Sequence, residues 1–225
     1  MEMEIVVPDE VPVMTLPSLA FFPQALLPLH IFEPRYREML RDVLATNRLF
    51  AVAGLNPKAN SDQFEPLHRI ATIGIVRACQ GNEDGTSNLL IQGLARVEVQ
   101  AVVGEHPYRR IRIKALASRP GAETDENLRL RSSLARLIVT KQRLGGAVSN
   151  EFTRFLKTVE DPEIFADLAA FSICEDPRLK QKLLETLDVH QRLELLNHHL
   201  RSEVESLKLR KKLQGALPDD RIVNN

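Results

Sequence analysis

The chain has no tryptophan and only two tyrosines. Platforms for stacking nucleic-acid bases are therefore scarce. It has only two cysteines, Cys79 and Cys174, far apart in sequence. They form no disulfide framework and point to a reducing compartment. An excess of charge of either sign is missing too, since 30 Lys+Arg balance 30 Asp+Glu. The balance holds on both sides of Ser118, with 12 Lys+Arg against 13 Asp+Glu up to it and 18 against 17 beyond it. Composition thus gives no support for a nucleic-acid or anionic-membrane partner. No window reaches 18 apolar residues, which excludes a membrane-spanning helix. The N-terminus, MEMEIVVPDE, is acidic and lacks a basic start and a long apolar core, so it does not read as a signal peptide. The expectation is a cytoplasmic protein.

Catalytic signatures are missing as well. Neither G-x-x-x-x-G-K-[ST] nor G-x-G-x-x-G occurs, and the glycines stand singly apart from Gly145-Gly146. There is no H-E-x-x-H, no C-x-x-C and no G-x-S-x-G. His190, Glu194 and His198 share one helical face, but without further Cys or His partners they read as a solvated face and not a metal site. Cys79 follows an apolar strand and is expected in the core. Cys174 precedes Glu175 and Asp176, whose charge would raise a thiol pKa and disfavour activation. No catalytic residue, cofactor or metal is expected.

What the chain does have is a run of short apolar segments, then helices. Residues 11–16 and 25–32 read as strands, and Pro28 assigns the second to an edge or a bulge. At Pro34 the pattern becomes helical. Tyr36, Met39, Leu40, Val43 and Leu44 fall on one face, Pro34 suits the first helical position, and Glu33 places negative charge at the dipole's positive end. Further strands are expected over 49–55, 70–79, 88–94, 96–103 and 110–115, with a loop over 58–65. Asp84-Gly85 is a hairpin signal, and Gly93 marks a possible bulge. Several short strands with one early helix suggest a small closed or nearly closed β-barrel.

Residues 119–126 are rich in Pro, Gly and charge and read as a linker. Leu130, Leu134, Leu137, Ile138 and Leu144 then carry helical spacing up to the Gly145-Gly146 stop. Three shorter helices follow, the first ending at Asp161-Pro162 and the third beginning after Asp176-Pro177. Last comes a long helix from a capping-box-like Asp188-Val189-His190-Gln191 to about Leu213. The class is α+β: a β-barrel domain with one early helix over 1–118, a linker over 119–126, a helical bundle ending in a long helix over 127–214, and a flexible tail over 215–225.

The run Pro28-Leu29-His30-Ile31-Phe32-Glu33-Pro34-Arg35-Tyr36 resembles the signature of the N-terminal, substrate-binding domain of Lon proteases. Leu16-Pro17 followed by Phe21-Phe22-Pro23 resembles that family's opening segment. Ile73-Gly74, Asp84-Gly85 and Ile91-Gln92-Gly93-Leu94-Ala95-Arg96 resemble its hairpin and return strand. Asp167-Leu168 and the run from Lys180 to Leu193 resemble its helical segment. The likeness covers about residues 11–213.

The resemblance implies a PUA-like barrel followed by a helical bundle. It also implies a non-catalytic module that binds unfolded or client proteins and peptides through apolar surface near the barrel–helix junction. A protease or ATPase partner is a further implication. Full-length members continue into an ATPase module and a Ser–Lys protease domain; this sequence ends soon after the long helix, so no residues are expected for that chemistry. The candidate peptide-binding surface is Pro28, His30, Phe32, Glu33, Arg35 and Tyr36. His30 reads from its strand position as a buried, hydrogen-bonded structural histidine, and Glu33 and Arg35 as a pair bracing the corner. An alternative is RNA binding through Arg110, Arg112 and Lys114, three cations on one strand face. Neutral charge and few aromatics argue against nucleic acid as a partner. A scaffold or oligomerisation role for the long helix is a third reading.

Overall fold

The computed structural model describes residues 7–57 and 66–215. The loop expected over 58–65 and the tail beyond 215 lie outside the described residues. The element order is β1 (Glu10–Leu16), β2 (Leu26–Ile31), α1 (Pro34–Ala45), β3 (Leu49–Gly54), β4 (Ile70–Gly81), β5 (Ser87–Gly104), β6 (Arg110–Leu116), α2 (Thr124–Arg143), α3 (Asn150–Thr158), α4 (Pro162–Ile173), α5 (Pro177–Glu185) and α6 (Val189–Gly215). The α+β class read from the sequence is the one observed.

β5 organises the sheet. One of its sides pairs with β4; the other pairs first with β2, over Ser87 to Gln92, and then with β6, over Arg96 to Gly104. Since β4 pairs β3, β3 pairs β1 and β1 pairs β6, five strands close into a ring and, among the described residues, β2 is left as a free edge. β1 and β3 run parallel and the other pairs antiparallel. Pro28 therefore sits where a missing N–H is tolerated.

The expected break between strands at residue 95 is corrected. β5 is one 18-residue strand. Ile73 pairs with Ala95 and Gly74 with Gly93, so Leu94 is an extra residue on β5. Because side chains alternate with period two, one extra residue exchanges the faces. Leu89 and Ile91 consequently pack in one apolar cluster, with Phe22, Phe50 and α1. Val97 packs in the other, inside the ring with Val13, Ala51, Ile73 and Ile111. Gly93 permits the bend, since a Cβ there would come 2.1 Å from the Phe22 carbonyl oxygen.

The α1 face reads as expected: Tyr36, Met39, Leu40 and Val43 are buried against Met14, Phe50 and Val52. Ser149, Asp161 and Asp176 cap α3, α4 and α5 through side-chain oxygens, and Asp188 accepts from the Gln191 N–H at the start of α6. The stretch expected as a linker is held in place. Arg119 N–H donates to the Leu187 carbonyl (2.9 Å), and Val189 N–H to the Arg119 carbonyl (2.8 Å). Phe21, before β2, meets Phe171 of α4 edge-on at 6.0 Å. One apolar cluster thus runs from the outer face of the strands through α1 into α2–α6.

Cys79 is a second correction. It is exposed, not core, because the end of β4 from Arg77 to Gly81 extends past the packed layers.

Candidate functional site

The family-signature run forms an exposed corner at the free edge of the sheet. β2 alternates, with Leu27, Leu29 and Ile31 turned toward the packed core and Leu26, Pro28 and His30 exposed. Phe32 is 62% exposed and Leu26 51%. His30 stacks on Phe32 with ring centroids 6.1 Å apart, and its Nδ1 meets Asn88 Oδ1 at 2.8 Å. His30 is therefore hydrogen-bonded as expected but exposed, not buried, because among the described residues its side of β2 carries no covering layer. Leu90 and Ala78 continue this face across β5 and β4, directly in line with Pro28. The result is an apolar face bordered by His30, Gln92 and Arg77.

The corner beneath it is braced. Arg35 Nε donates to Glu33 Oε2 at 2.9 Å, and the Arg35 guanidinium lies 4.7 Å from the Tyr36 ring centre. Tyr36, unlike Pro28, His30, Phe32 and Arg35, is buried. Its hydroxyl accepts from the Thr15 N–H (3.1 Å) and meets Thr15 Oγ1 (3.0 Å), tying α1 to β1. Arg37 lies against the hairpin turn: a Cβ on Gly85 would come 2.0 Å from its Nη2, and Gly85 has φ +78°. The turn is where Asp84-Gly85 places it.

The cations on β6 are distributed. Arg112 Nη2 bonds Glu10 Oε1 at 2.8 Å; Lys114 sits opposite Glu98, which in turn pairs with Arg69 at 2.6 Å. Arg110 and Lys114 are exposed. The row of three positive charges is thus interleaved with acids. On α6, His190 Nδ1 bonds Asn127 Oδ1 (3.0 Å) and its Nε2 lies 3.5 Å from Glu194.

Sequence reasoning missed the most buried polar cluster, although its members lie inside the quoted motifs. Arg96 on β5, Asp167 on α4 and Arg192 on α6 meet at the junction of strands and helices. They are 2%, 1% and 1% exposed. Arg96 grips both Asp167 oxygens (2.7 and 2.6 Å) and gives its Nε to the Leu184 carbonyl (3.0 Å). Arg192 reaches Asp167 Oδ1 (2.5 Å), Ser118 Oγ (2.7 Å) and Glu163 Oε1 (3.1 Å). Two guanidiniums and two carboxylates balance, as buried charge requires. The signal available was an arginine directly after the apolar pair Leu94-Ala95 and an aspartate within the apolar run of α4.

Burial opposes the ionised form of Glu163, but hydrogen bonds from Ser118 and Arg192 and the charges of Arg192 and Arg96 outweigh it, leaving the pKa below its ordinary 4.5. A depressed carboxylate contributes stability above its unfolded pKa and loses it as pH falls through the folded one. Thermal melts from pH 7 to pH 3 should therefore show a loss of stability that begins below about 4.5 and is shallower in Glu163→Gln. An unchanged acid limb in the variant would place that linkage on other carboxylates.

A cleft of about 750 Å³ opens between α5 and the ends of β1 and β3, lined in part by Leu19, Gly54, His68, Gln181 and Glu185. Burial lowers the His68 pKa, with nearby Glu185 (3.6 Å) opposing. Cys174 is buried and burial raises its thiol pKa, against a hydrogen bond to the Asp176 carbonyl and the Lys180 charge, which lower it; the Asp176 charge adds a smaller rise. The direction is the expected one; the larger cause is desolvation.

Residues 10–202 match the family model described as the ATP-dependent protease La (LON) substrate-binding domain. The chain belongs to this family. Among Lon-family relatives, Lon protease of Desulfosudis oleivorans is 26% identical over 215 residues, covering 95% of this chain and 26% of the relative. Lon protease of Syntrophus aciditrophicus is 28% identical over 218 residues, covering 95% and 28%. The chain thus spans about a quarter of the length of these Lon proteases. In fold it resembles the N-terminal domain of Mycobacterium avium complex Lon protease (TM-score 0.67, 19% identity, 85% of this chain and 98% of that one). It also resembles a Lon N-terminal domain protein from Xanthomonas campestris (TM-score 0.60, 19% identity, 83% and 96%). Among the described residues, no helix is long and apolar enough to cross a membrane.

Proposed function

We propose that this protein is a non-catalytic recognition module that holds exposed apolar segments of unfolded or client proteins, in a reducing cytoplasm, and presents them to a protease or ATPase partner. The observation that carries the reading is the apolar face of Leu26, Pro28, Phe32, Leu90 and Ala78, fixed by a braced corner and left uncovered. Membership of a substrate-binding family supports it, as does the rigidity of the support: Tyr36, Glu33 and Arg35 hold the corner while Pro28, His30 and Phe32 face outward. A pre-formed apolar surface binds without first paying for its own ordering. Free thiols at Cys79 and Cys174 agree with the compartment.

The test is binding of reduced, carboxymethylated α-lactalbumin by the purified chain, with an inert protein of similar size as control. Leu26→Ser combined with Phe32→Ser should weaken binding at least tenfold while leaving the melt nearly unchanged, since both side chains are half or more exposed. Parent-like binding by the double variant would move the site off this face. No binding by the parent above the control would end the reading.

A further inference from the structure

We infer that the bound segment is taken up as an added β-strand along the outer edge of β2, read by backbone hydrogen bonds as well as by apolar contact. This rests on the peptide-binding reading above and gives the bound segment a conformation.

The inference comes from which backbone groups of β2 are already in use. Directly opposed residues of an antiparallel pair alternate between exchanging both hydrogen bonds and exchanging none. Gly93 of β5 faces β2: its N–H donates to the Ala25 carbonyl (3.0 Å), and its carbonyl accepts from Gln24 (2.9 Å). Ile91, Leu89 and Ser87 follow at steps of two and face β2 as well. Their register partners are Leu27, Leu29 and Ile31. The other side of the sheet agrees. Val76, opposite Ile91, donates its N–H to Arg48 and so faces away from β5. Leu26, Pro28 and His30 therefore direct their backbone groups outward, from an edge strand that no other strand among the described residues covers. All three are exposed.

That edge offers the N–H groups of Leu26 and His30 and the carbonyls of Leu26, Pro28 and His30, at the two-residue repeat of an extended chain. The partner whose groups recur at that repeat is another extended peptide. Pro28 argues which one. In antiparallel pairing with β2 of a second copy, any register that engages Pro28 meets a proline from each side and loses two bonds. A foreign strand loses one. The edge is thus biased against self-association, a known use of edge prolines, and a heterologous strand forgoes one bond where a second copy forgoes two. Residues of the added strand that lie opposite Leu26, Pro28 and His30 put their side chains on the same exposed face. Their apolar side chains would lie against Leu26, Pro28 and Phe32, and their N–H groups would point at β2.

The prediction is a dependence on phase. The probe is a fluorescein-labelled eleven-residue peptide of alternating leucines and polar residues. It is made unmodified, with N-methyl groups on its leucines, or with the same number on its polar residues. A one-residue slip would turn the leucines off the apolar face, so the phase is pinned. Methylated leucines should weaken binding at least tenfold, measured by fluorescence anisotropy, and methylated polar residues by less than twofold. Equal binding of all three peptides, or equal weakening by both modifications, would overturn strand addition and leave the peptide-binding reading in place. Binding of unfolded α-lactalbumin but of none of the peptides would likewise overturn it. If neither peptide nor unfolded protein binds, both readings fall together.

Discussion

Replacing Arg96 by methionine is expected to destabilise the protein by about 3–5 kcal/mol in a urea melt, the range for removing one partner of a buried ion pair. The side chain is 2% exposed and makes three charge-assisted bonds, two to Asp167 and one to the Leu184 carbonyl. Methionine fills much of the volume but leaves the Leu184 carbonyl without this donor. Asp167 then depends on Arg192 alone, and Arg192 already has an Nε without a partner among the described residues. Asp167→Leu should be costly on its own, since among the described residues it leaves two buried guanidiniums with only Glu163 as a carboxylate within 4 Å. The double variant should cost less than the sum of the singles, with a coupling of about 0.5–3 kcal/mol. Strict additivity would mean that the strands and the helices are not joined through this cluster. The arrangement matters for function because Arg96 lies on β5, the strand that also carries β2 and hence the apolar face.

Replacing Tyr36 by alanine should cost about 3–5 kcal/mol, the usual range for deleting a buried aromatic side chain. Tyr36 is 5% exposed, packs with Met14 and Phe50, and has its hydroxyl bonded to Thr15. Tyr36→Phe separates the contributions. It keeps the ring and leaves the Thr15 N–H without this acceptor, so about 1–3 kcal/mol is expected. A cost below about 1 kcal/mol for Tyr36→Ala would mean that the corner is surface, and a direct binding role for Tyr36 would replace the architectural one. Surface variants at Phe32 should instead change binding and hardly touch the melt. This contrast within five residues separates the support from the face that it supports.

Much of the local architecture was legible from residues alone. The period of Tyr36, Met39, Leu40 and Val43 defined the buried face of α1. Asp84-Gly85 marked the turn, Pro28 marked an edge or a bulge, Asp161-Pro162 marked a helix boundary and Asp176-Pro177 a helix start. These signals are local: they depend on φ preferences, on capping oxygens and on which side of one element is apolar.

Exposure was less legible. His30 and Cys79 lie in apolar surroundings along the chain and were expected inside; both are at the surface. A strand pattern tells which residues share a face, but not whether another layer covers it. That depends on where α1 and the helices α2–α6 pack, and among the described residues the far side of β2 and the tip of β4 are left uncovered. The continuity of β5 was hidden for a related reason, since one extra residue at Leu94 reverses the alternation that a period-two reading relies on.

By itself, then, the sequence determined the class, the order of elements and the family signature, because these are written in short-range periodicity and motif. Tertiary structure decided that Arg96, Asp167 and Arg192 converge, since contacts across 71 and 25 residues of chain leave no local pattern. It also decided that the run from Pro28 to Tyr36 divides in two. Tyr36 turns inward to anchor α1, and Leu26, Pro28 and Phe32 stay in water, because β2 is the one strand among the described residues outside the closed ring.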